Sequence, residues 1–411
     1  MRRCAPRNWP RASQSKHGAT DMGRRVRRVL LLGTLLTAVG LGAGVALVLR
    51  PFDTTPYLEA PQSPVLLDRH GARLYVGLAA DDHWSLPLEH GAWAAHLLHA
   101  TLAVEDERFH RHPGVDPLAV ARAAWQNAWQ GRVVSGASTL TMQLVTLQDG
   151  GAGWRGKLWQ AWHALRLDAN ASKGALLRGY FNRAPYGRNL RGVEAAALRY
   201  FGQPAHALRL PEAALLAGLP KAPSALDPLR HADAARARRN HVLRRMADCG
   251  YIDDAAAQRA QAAPLGVRWH RFPRHAPHVA QRALGQAPGS TVQALLDAEV
   301  QGLAYDLLRA HLKTFDGAIG NGAVLVLDVQ DGAARAWVGS AGVRDTPGGA
   351  IDLARAPRSP GSALKPFTYA VAMEAQQLYP DEQLLDDTLD YGHYRPGNFD
   401  GRFHGRVSAA D

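Results

Sequence analysis

Cysteine is almost absent. The 411 residues contain two, Cys4 and Cys249, which leaves no disulfide framework and no cysteine-ligated zinc site. Acidic residues are missing from the first fifty positions except for Asp21, while residues 1–28 carry nine arginines and lysines. That leader accounts for eight of the twelve net positive charges, so the remainder is only mildly basic. A nucleic-acid partner needs basic side chains spread over a binding face, and none is expected here. The eighteen histidines lack an H-x-x-x-H pair with a following acid, so no resident metal is read from them. Charge of either sign is missing from residues 29–49, VLLLGTLLTAVGLGAGVALVL. A run of about 20 apolar residues spans a bilayer core and exceeds the ~7–15 residues of a cleavable signal core. Arg50-Pro51-Phe52 is also a poor cleavage site. The run reads as an uncleaved signal-anchor with Arg24 to Arg28 on the cytoplasmic side. Met22, which precedes Gly-Arg-Arg, is a second candidate start beside Met1, and mass spectrometry of the native N-terminus would decide between them.

What is present falls into blocks. Residues 1–28 are a basic leader and 29–49 the anchor. Residues 50–250 begin with PVLLDRHGARLYV, which alternates and turns at His70-Gly71, and continue as Ala- and Leu-rich sequence at helical spacing. Residues 251–300 are rich in Ala, Pro and His and read as a linker. From 301 to 411 the texture is mixed: AVLVLDV, Asp331-Gly332 and AARAWVGS predict a β-hairpin, followed by a loop entering a helix at RSPGSALKP. The fold class is therefore multidomain α+β.

The stretch VEDERFHRHPGVD (104–116) ends an apolar run with two acids. Ala94, Leu97, Leu98, Thr101, Leu102 and Glu105 share one helical face. Glu105 thus continues an apolar stripe, where desolvation raises a carboxyl pKa and suits it to proton transfer. Asp106 points about 100° away. A simpler reading pairs Glu105 with Arg108 or Arg122. Asp116-Pro117 predicts a capped helix ending at Gly131. Some thirty residues on, SGASTLTMQL (135–144) predicts a second helix start capped at Ser138-Thr139, with hydroxyl and amide groups suited to sugar and phosphate oxygens. Trp125, Trp129, Trp154, Trp159 and Trp162 read as core or membrane-surface contacts. Apolar surface beside the anchor would let the domain dip into the bilayer interface.

Together, EDERFHRHPGVD, GASTLTMQL and KLWQAWHALRLDANASKGALLRGYFNRAPYGRNLRGVEAAALRYFG (157–202) resemble the ordered signatures of the peptidoglycan glycosyltransferase domain, family 51. That domain opens the class A penicillin-binding proteins. The NRAPYG and GVEAA texture is most similar to type 1C members, and the resemblance runs from about residue 60 to the end. It implies a mainly helical, lysozyme-like transferase domain at 50–250 and a penicillin-binding transpeptidase domain of α/β type at 301–411. It also implies a chemistry. Glu105 would be the general base on the GlcNAc 4-hydroxyl of lipid II, which attacks the nascent glycan strand and displaces undecaprenyl pyrophosphate. Asp106, Phe109, His112, Gly136, Ser138, Thr139, Thr141 and Gln143 match positions lining the cleft. Lys157, Ser172, Lys173, Asn182 and Arg183 fall in the third signature as further substrate-binding positions, and Gln160 occupies its acid position. Mg2+ is the implied cofactor, assisting departure of the pyrophosphate. The implied place is the bacterial inner membrane, single-pass, with catalytic domains on the periplasmic side, beside other cell-wall synthesis proteins.

Three positions depart from the family pattern. Gln160 stands where a second acid is common, Thr146 where a basic residue follows the second signature, and Ala175 where an acid follows Ser-Lys. Thr146 and Ala175, with the missing transpeptidase signatures, keep open an inactive lipid II-binding scaffold, and the helical cleft with its acid keeps open a lysozyme-like hydrolase using Glu105. Ser362 and Lys365 form S-x-x-K, in which a neutral Lys365 would take the proton of Ser362. No S-x-N or K-[ST]-G follows residue 365, so the transpeptidase is expected to be cut short and without cross-linking activity. Labelled penicillin should leave no stoichiometric adduct on the purified protein; a Ser362-dependent stoichiometric adduct would contradict that expectation.

Overall fold

The computed structural model describes residues 42, 44–88, 93–131, 137–151, 153–285, 289–398 and 400–409. The leader, most of the expected anchor, and Gly136 lie outside the described residues. No helix among the described residues is long and apolar enough to cross a membrane. The chain divides into two compact units. The first comprises Met1–Ile319 with Val324–Val338, and the second Gly320–Ala323 with Gly339–Asp411.

The first unit opens with a short helix α1 (Thr55–Leu58) and then β1 (Val65–Leu67) and β2 (Arg73–Val76). These strands pair antiparallel, with Val65 opposite Val76. The turn between them is the one expected at His70-Gly71, and Gly71 takes φ 85°, a conformation only glycine adopts cheaply. The helical body follows as α2 (Ala95–Glu105), α3 (Pro117–Gln130), α4 (Leu140–Asp149), α5 (Gly153–Asn170) and α6 (Lys173–Arg183). A small sheet of β3 (Trp84–Ser85), β4 (Pro185–Gly187) and β5 (Leu190–Arg191) leads to α7 (Val193–Phe201), α8 (Leu210–Gly218) and α9 (Ala232–Asp248).

Alanine explains how these helices pack. Ala100 and Ala103 of α2 meet Ala214 and Ala217 of α8, with Val242, Leu243 and Met246 of α9 filling the remaining space. Small side chains let the helix axes approach closely. As a result α2 is buried on more than the predicted stripe: Ala100 and Ala103 are buried beside Leu97, Thr101 and Leu102. The expected cap at Asp116 is present, its carboxylate accepting the N–H groups of Leu118 and Ala119, and α3 ends at Gly131 in the left-handed region.

Residues 251–300, expected to be a linker, are instead built into the first unit. They carry α10 (Asp254–Ala262), α11 (Pro277–Gly285) and β6 (Thr291–Gln293), and β6 extends the first sheet by pairing parallel to β1. Two buried polar groups explain why this segment is fixed. Arg239 of α9, with no exposed surface, donates to the carbonyls of Gln261 and Ala263 at the end of α10, both at 2.7 Å. Gln301 of α12 (Ala298–Lys313) accepts from Trp337 N–H at 2.7 Å and donates to His275 O at 2.9 Å. The predicted hairpin forms as β7 (Val324–Leu327) and β8 (Ala334–Val338) and belongs to this first unit.

The second unit holds a 3-10 turn (Gly361–Leu364), α13 (Lys365–Glu374), and the antiparallel pair β9 (Gln383–Asp386) and β10 (Gly405–Ser408).

Gly114 sets the spacing between the first signature and α5. It has φ 83°, and a Cβ there would sit 2.3 Å from Ala164 O. Gly114→Ala should therefore destabilise the first unit by about 2 kcal/mol or more. Thermal unfolding would read this as a fall of roughly 4–8 °C in Tm.

Candidate active site

The site is built where α2 ends and α4 begins. Glu105 is the last residue of α2 and Asp106 its C-cap. The backbone turns sharply there, at φ −160° and ψ 78° for Asp106, and this sends the two carboxylates in different directions. Asp106 turns inward. Its side chain is 4% exposed and accepts from His112 Nε2 at 2.9 Å and from Leu140 N–H at 3.0 Å. Leu140 N–H is the first of α4, so an acid satisfies a helix N-terminus where the dipole favours negative charge. Thr139 caps the same helix. Its hydroxyl accepts from Met142 N–H at 3.1 Å and donates to Gly114 O at 2.5 Å.

Glu105 turns the other way and stays partly open, with 14% of its side chain exposed. Gln143 Nε2 donates to Oε2 at 2.8 Å. Arg238 of α9 lies 3.4 Å from Oε1. Burial pushes the Glu105 carboxyl above the ordinary glutamate value, while the Gln143 hydrogen bond and the charges of Arg238 and Lys221 pull it back. The partner is therefore neither Arg108, which binds Asp116 at 2.7 Å, nor Arg122.

Beside Gln143 lies a cavity of about 190 Å³ lined by Ser138, Gln143, Thr146, Leu147, Lys157, Tyr180, Pro185 and Pro220. Lys157 is the cation on that lining. Its Nζ donates to Gln160 Oε1 at 3.0 Å, and Gln160 in turn donates to the carbonyls of Gly150 and Gly151. A carboxylate at 160 could accept from Lys157 but could not donate to those carbonyls. Thr146 spends its hydroxyl on Met142 O, one turn back.

Of the residues expected to touch substrate, Ser138, Gln143 and Lys157 line the cavity and Glu105 adjoins it through Gln143. The other expected residues lie off that lining. Asp106, His112 and Thr139 are buried in the network that joins α2 to α4. Phe109 is buried in the main core with Lys173 Nζ over its ring at 4.5 Å. Lys173 also holds Asp168 and His112 O, at 2.5 and 2.7 Å. Thr141 is fully buried within α4, and its hydroxyl has no partner among the described residues. Gln160 is 1% exposed. Ser172 caps α6, Asn182 accepts from Leu88 N–H at 2.9 Å, and Arg183 binds Glu59 O and Gln148. Ser362 on the 3-10 turn and Lys365 at the start of α13 are both exposed. Sequence reasoning missed Arg238, Lys221 and Tyr180. Arg238 and Lys221 come from sequence read only as helical, and Tyr180 lies within the third signature, where no local spacing marks it.

The donor set does not fit a resident Mg2+. No group of three or more His, Cys, Asp or Glu side chains converges among the described residues. A hard cation is usually held by carboxylates among several oxygen ligands, and the cavity lining offers an ammonium, one amide and three hydroxyls but no carboxylate.

A transglycosylase family model matches residues 76–247, and a penicillin binding protein transpeptidase domain model matches residues 322–404. Penicillin-binding protein 1C of Escherichia coli (strain K12) is 37% identical over 361 residues, 87% of this chain and 46% of that protein. The chain belongs to the class A penicillin-binding proteins. Penicillin-binding protein 1F of Bacillus subtilis (strain 168) is 32% identical over 76% of this chain and 46% of its own length. The chain thus spans about half the length of the curated relatives it matches. The solved structure of penicillin-binding protein 1A from Haemophilus influenzae aligns with 85% of this chain and 59% of that one, at 17% identity and a TM-score of 0.42.

Asp106 should act on stability as well as on activity. Asp106→Ala leaves His112 and Leu140 N–H without their acceptor, at a cost of about 3 kcal/mol. The denaturant midpoint should fall, and fall less for Asp106→Asn. A pure substrate contact would leave the midpoint unchanged.

Proposed function

We propose that this chain is a membrane-anchored peptidoglycan glycosyltransferase that polymerises lipid II into β-1,4 glycan strands and releases undecaprenyl pyrophosphate. The observation that carries the reading is a single poised carboxylate beside a cavity that holds a cation. Glu105 is desolvated and oriented by Gln143, while Lys157 lines the adjoining space.

The charge pattern favours this leaving group. An alkoxide leaving a glycosidic bond needs a general acid, so hydrolases of finished glycan use two carboxyl groups. Pyrophosphate is a good leaving group and needs only its charge met. The second nearby acid, Asp106, faces away and is fully engaged. One base and one cation therefore suit a pyrophosphate-linked donor better than a lysozyme-like reaction. In the proposed step the 4-hydroxyl oxygen of lipid II attacks the anomeric carbon of the strand as its proton passes to Glu105. The anomeric C–O bond to pyrophosphate breaks with inversion. Mg2+, where it is used, would arrive bound to the pyrophosphate rather than held by the protein.

A membrane location is supported by exposed tryptophans. Trp125 and Trp129 stack on α3 at 6.2 Å, and Trp154 and Trp159 lie on α5, all with more than half of their surface exposed. Indole rings favour the bilayer interface, where one end is apolar and the other wet. The inactive-scaffold reading rests on Thr146, which supplies no charge to the cavity.

Polymerisation of labelled lipid II should be lost by roughly 10²–10⁴-fold in Glu105→Gln. Long strands from the wild type alone would support the transferase. Lipid II binding with no strands from either protein would favour the scaffold.

A further inference from the structure

Arg238 lies 133 positions from Glu105 in sequence, on a helix that none of the cleft-lining signatures includes. Its guanidinium sits between two groups. Nη2 is 3.4 Å from Glu105 Oε1, and Nε donates to Gly218 O at 3.2 Å. Gly218 is the last residue of α8, so the guanidinium rests against the negative end of that helix. The backbone is shaped around this side chain. A Cβ at Gly218 would meet Arg238 Cγ at 2.9 Å and Val242 Cγ2 at 3.4 Å. Only 10% of the Arg238 side chain is exposed. Each oxygen of the Glu105 carboxylate therefore has one donor, Gln143 at Oε2 and Arg238 at Oε1.

We propose that Arg238 is a positioning residue for the transferase base: it fixes the Glu105 carboxylate against Gln143 and holds it in the charged form. This rests on the assignment of Glu105 as the base. The guanidinium remains a cation through the reaction. It therefore disfavours a proton that stays on Glu105, and favours return of the carboxylate after each glycosidic bond forms. Other groups act on Glu105 through their charge or burial beside it. Lys221 on the 3-10 turn after α8 adds positive charge, Asp106 opposes it, and Tyr180 on α6 and Tyr186 on β4 are buried neutral phenols. Burial alone pushes the carboxyl up, so removal of the arginine leaves that push less opposed.

The sign follows. A base whose pKa rises loses its active form at the acid end first. Glycan polymerisation by the full chain in detergent is measured against pH for wild type, Arg238→Gln, Arg238→Lys and Glu105→Gln. In Arg238→Gln the acid limb of kcat should move up by roughly one pH unit or more, with KM for lipid II little changed. Arg238→Lys should restore most of the limb. Adding Arg238→Gln to Glu105→Gln should change the residual rate no further, because both act through one carboxylate. An unmoved limb in Arg238→Gln with the rate lowered equally at every pH would overturn the proposal. So would a full multiplicative loss in the double variant. If Arg238→Gln does not fold, a wild-type limb in Arg238→Lys supports the role, and a collapse at all pH values in that folded variant overturns it. Wild-type polymerisation by Glu105→Gln would instead remove the base assignment itself.

Discussion

The carboxylate of Asp106 is shared between His112 and the first N–H of α4. These bonds join the end of one helix to the start of another, 34 residues on. The rest of the site depends on that junction. With α4 seated there, Thr139 reaches Gly114 O and Gln143 reaches Glu105. If Asp106 were free to move, Gln143 would lose its aim, and the base would lose the donor that orients it. An acidic pair in sequence thus divides its work: one member builds the cleft and the other faces it.

The departures from the family pattern read differently once placed in space. Gln160 is a buried amide that uses both ends, accepting from Lys157 and donating to two loop carbonyls. The loop between α4 and α5 is held by that amide, and Lys157 is held at the cavity by the same contact. Replacing the acid with an amide therefore costs a charge and gains a donor. Thr146, by contrast, is satisfied within its own helix and brings nothing to the cavity beyond its bulk.

Much of this was legible in the sequence, for local reasons. The caps at Asp116 and Thr139, the turn at Gly71 and the β7–β8 hairpin follow from side chains acting on their own neighbours. The position of Glu105 on an apolar stripe also correctly implied desolvation. What was not legible depends on pairing across the chain. Spacing cannot tell that Asp106, Thr141 and Asn182 face inward, because helical neighbours of a cleft residue alternate between lining it and supporting it. Arg238 sits in an arginine-rich helix where nothing local separates it from Arg239, which caps α10 instead. The stretch 251–300 looked like a linker because its ties, Arg239 and Gln301, lie outside it.

The central claim is that Glu105 is a desolvated carboxyl, kept usable as a base by donors from two other helices. Isotope-edited infrared titration of the full chain, with Glu105→Gln subtracted, reads that carboxyl directly. The Glu105 carboxyl should titrate above the range of exposed glutamates, ordinarily near 4.3. A carboxyl that titrates at or below that value would contradict it, and with it the assignment of the base.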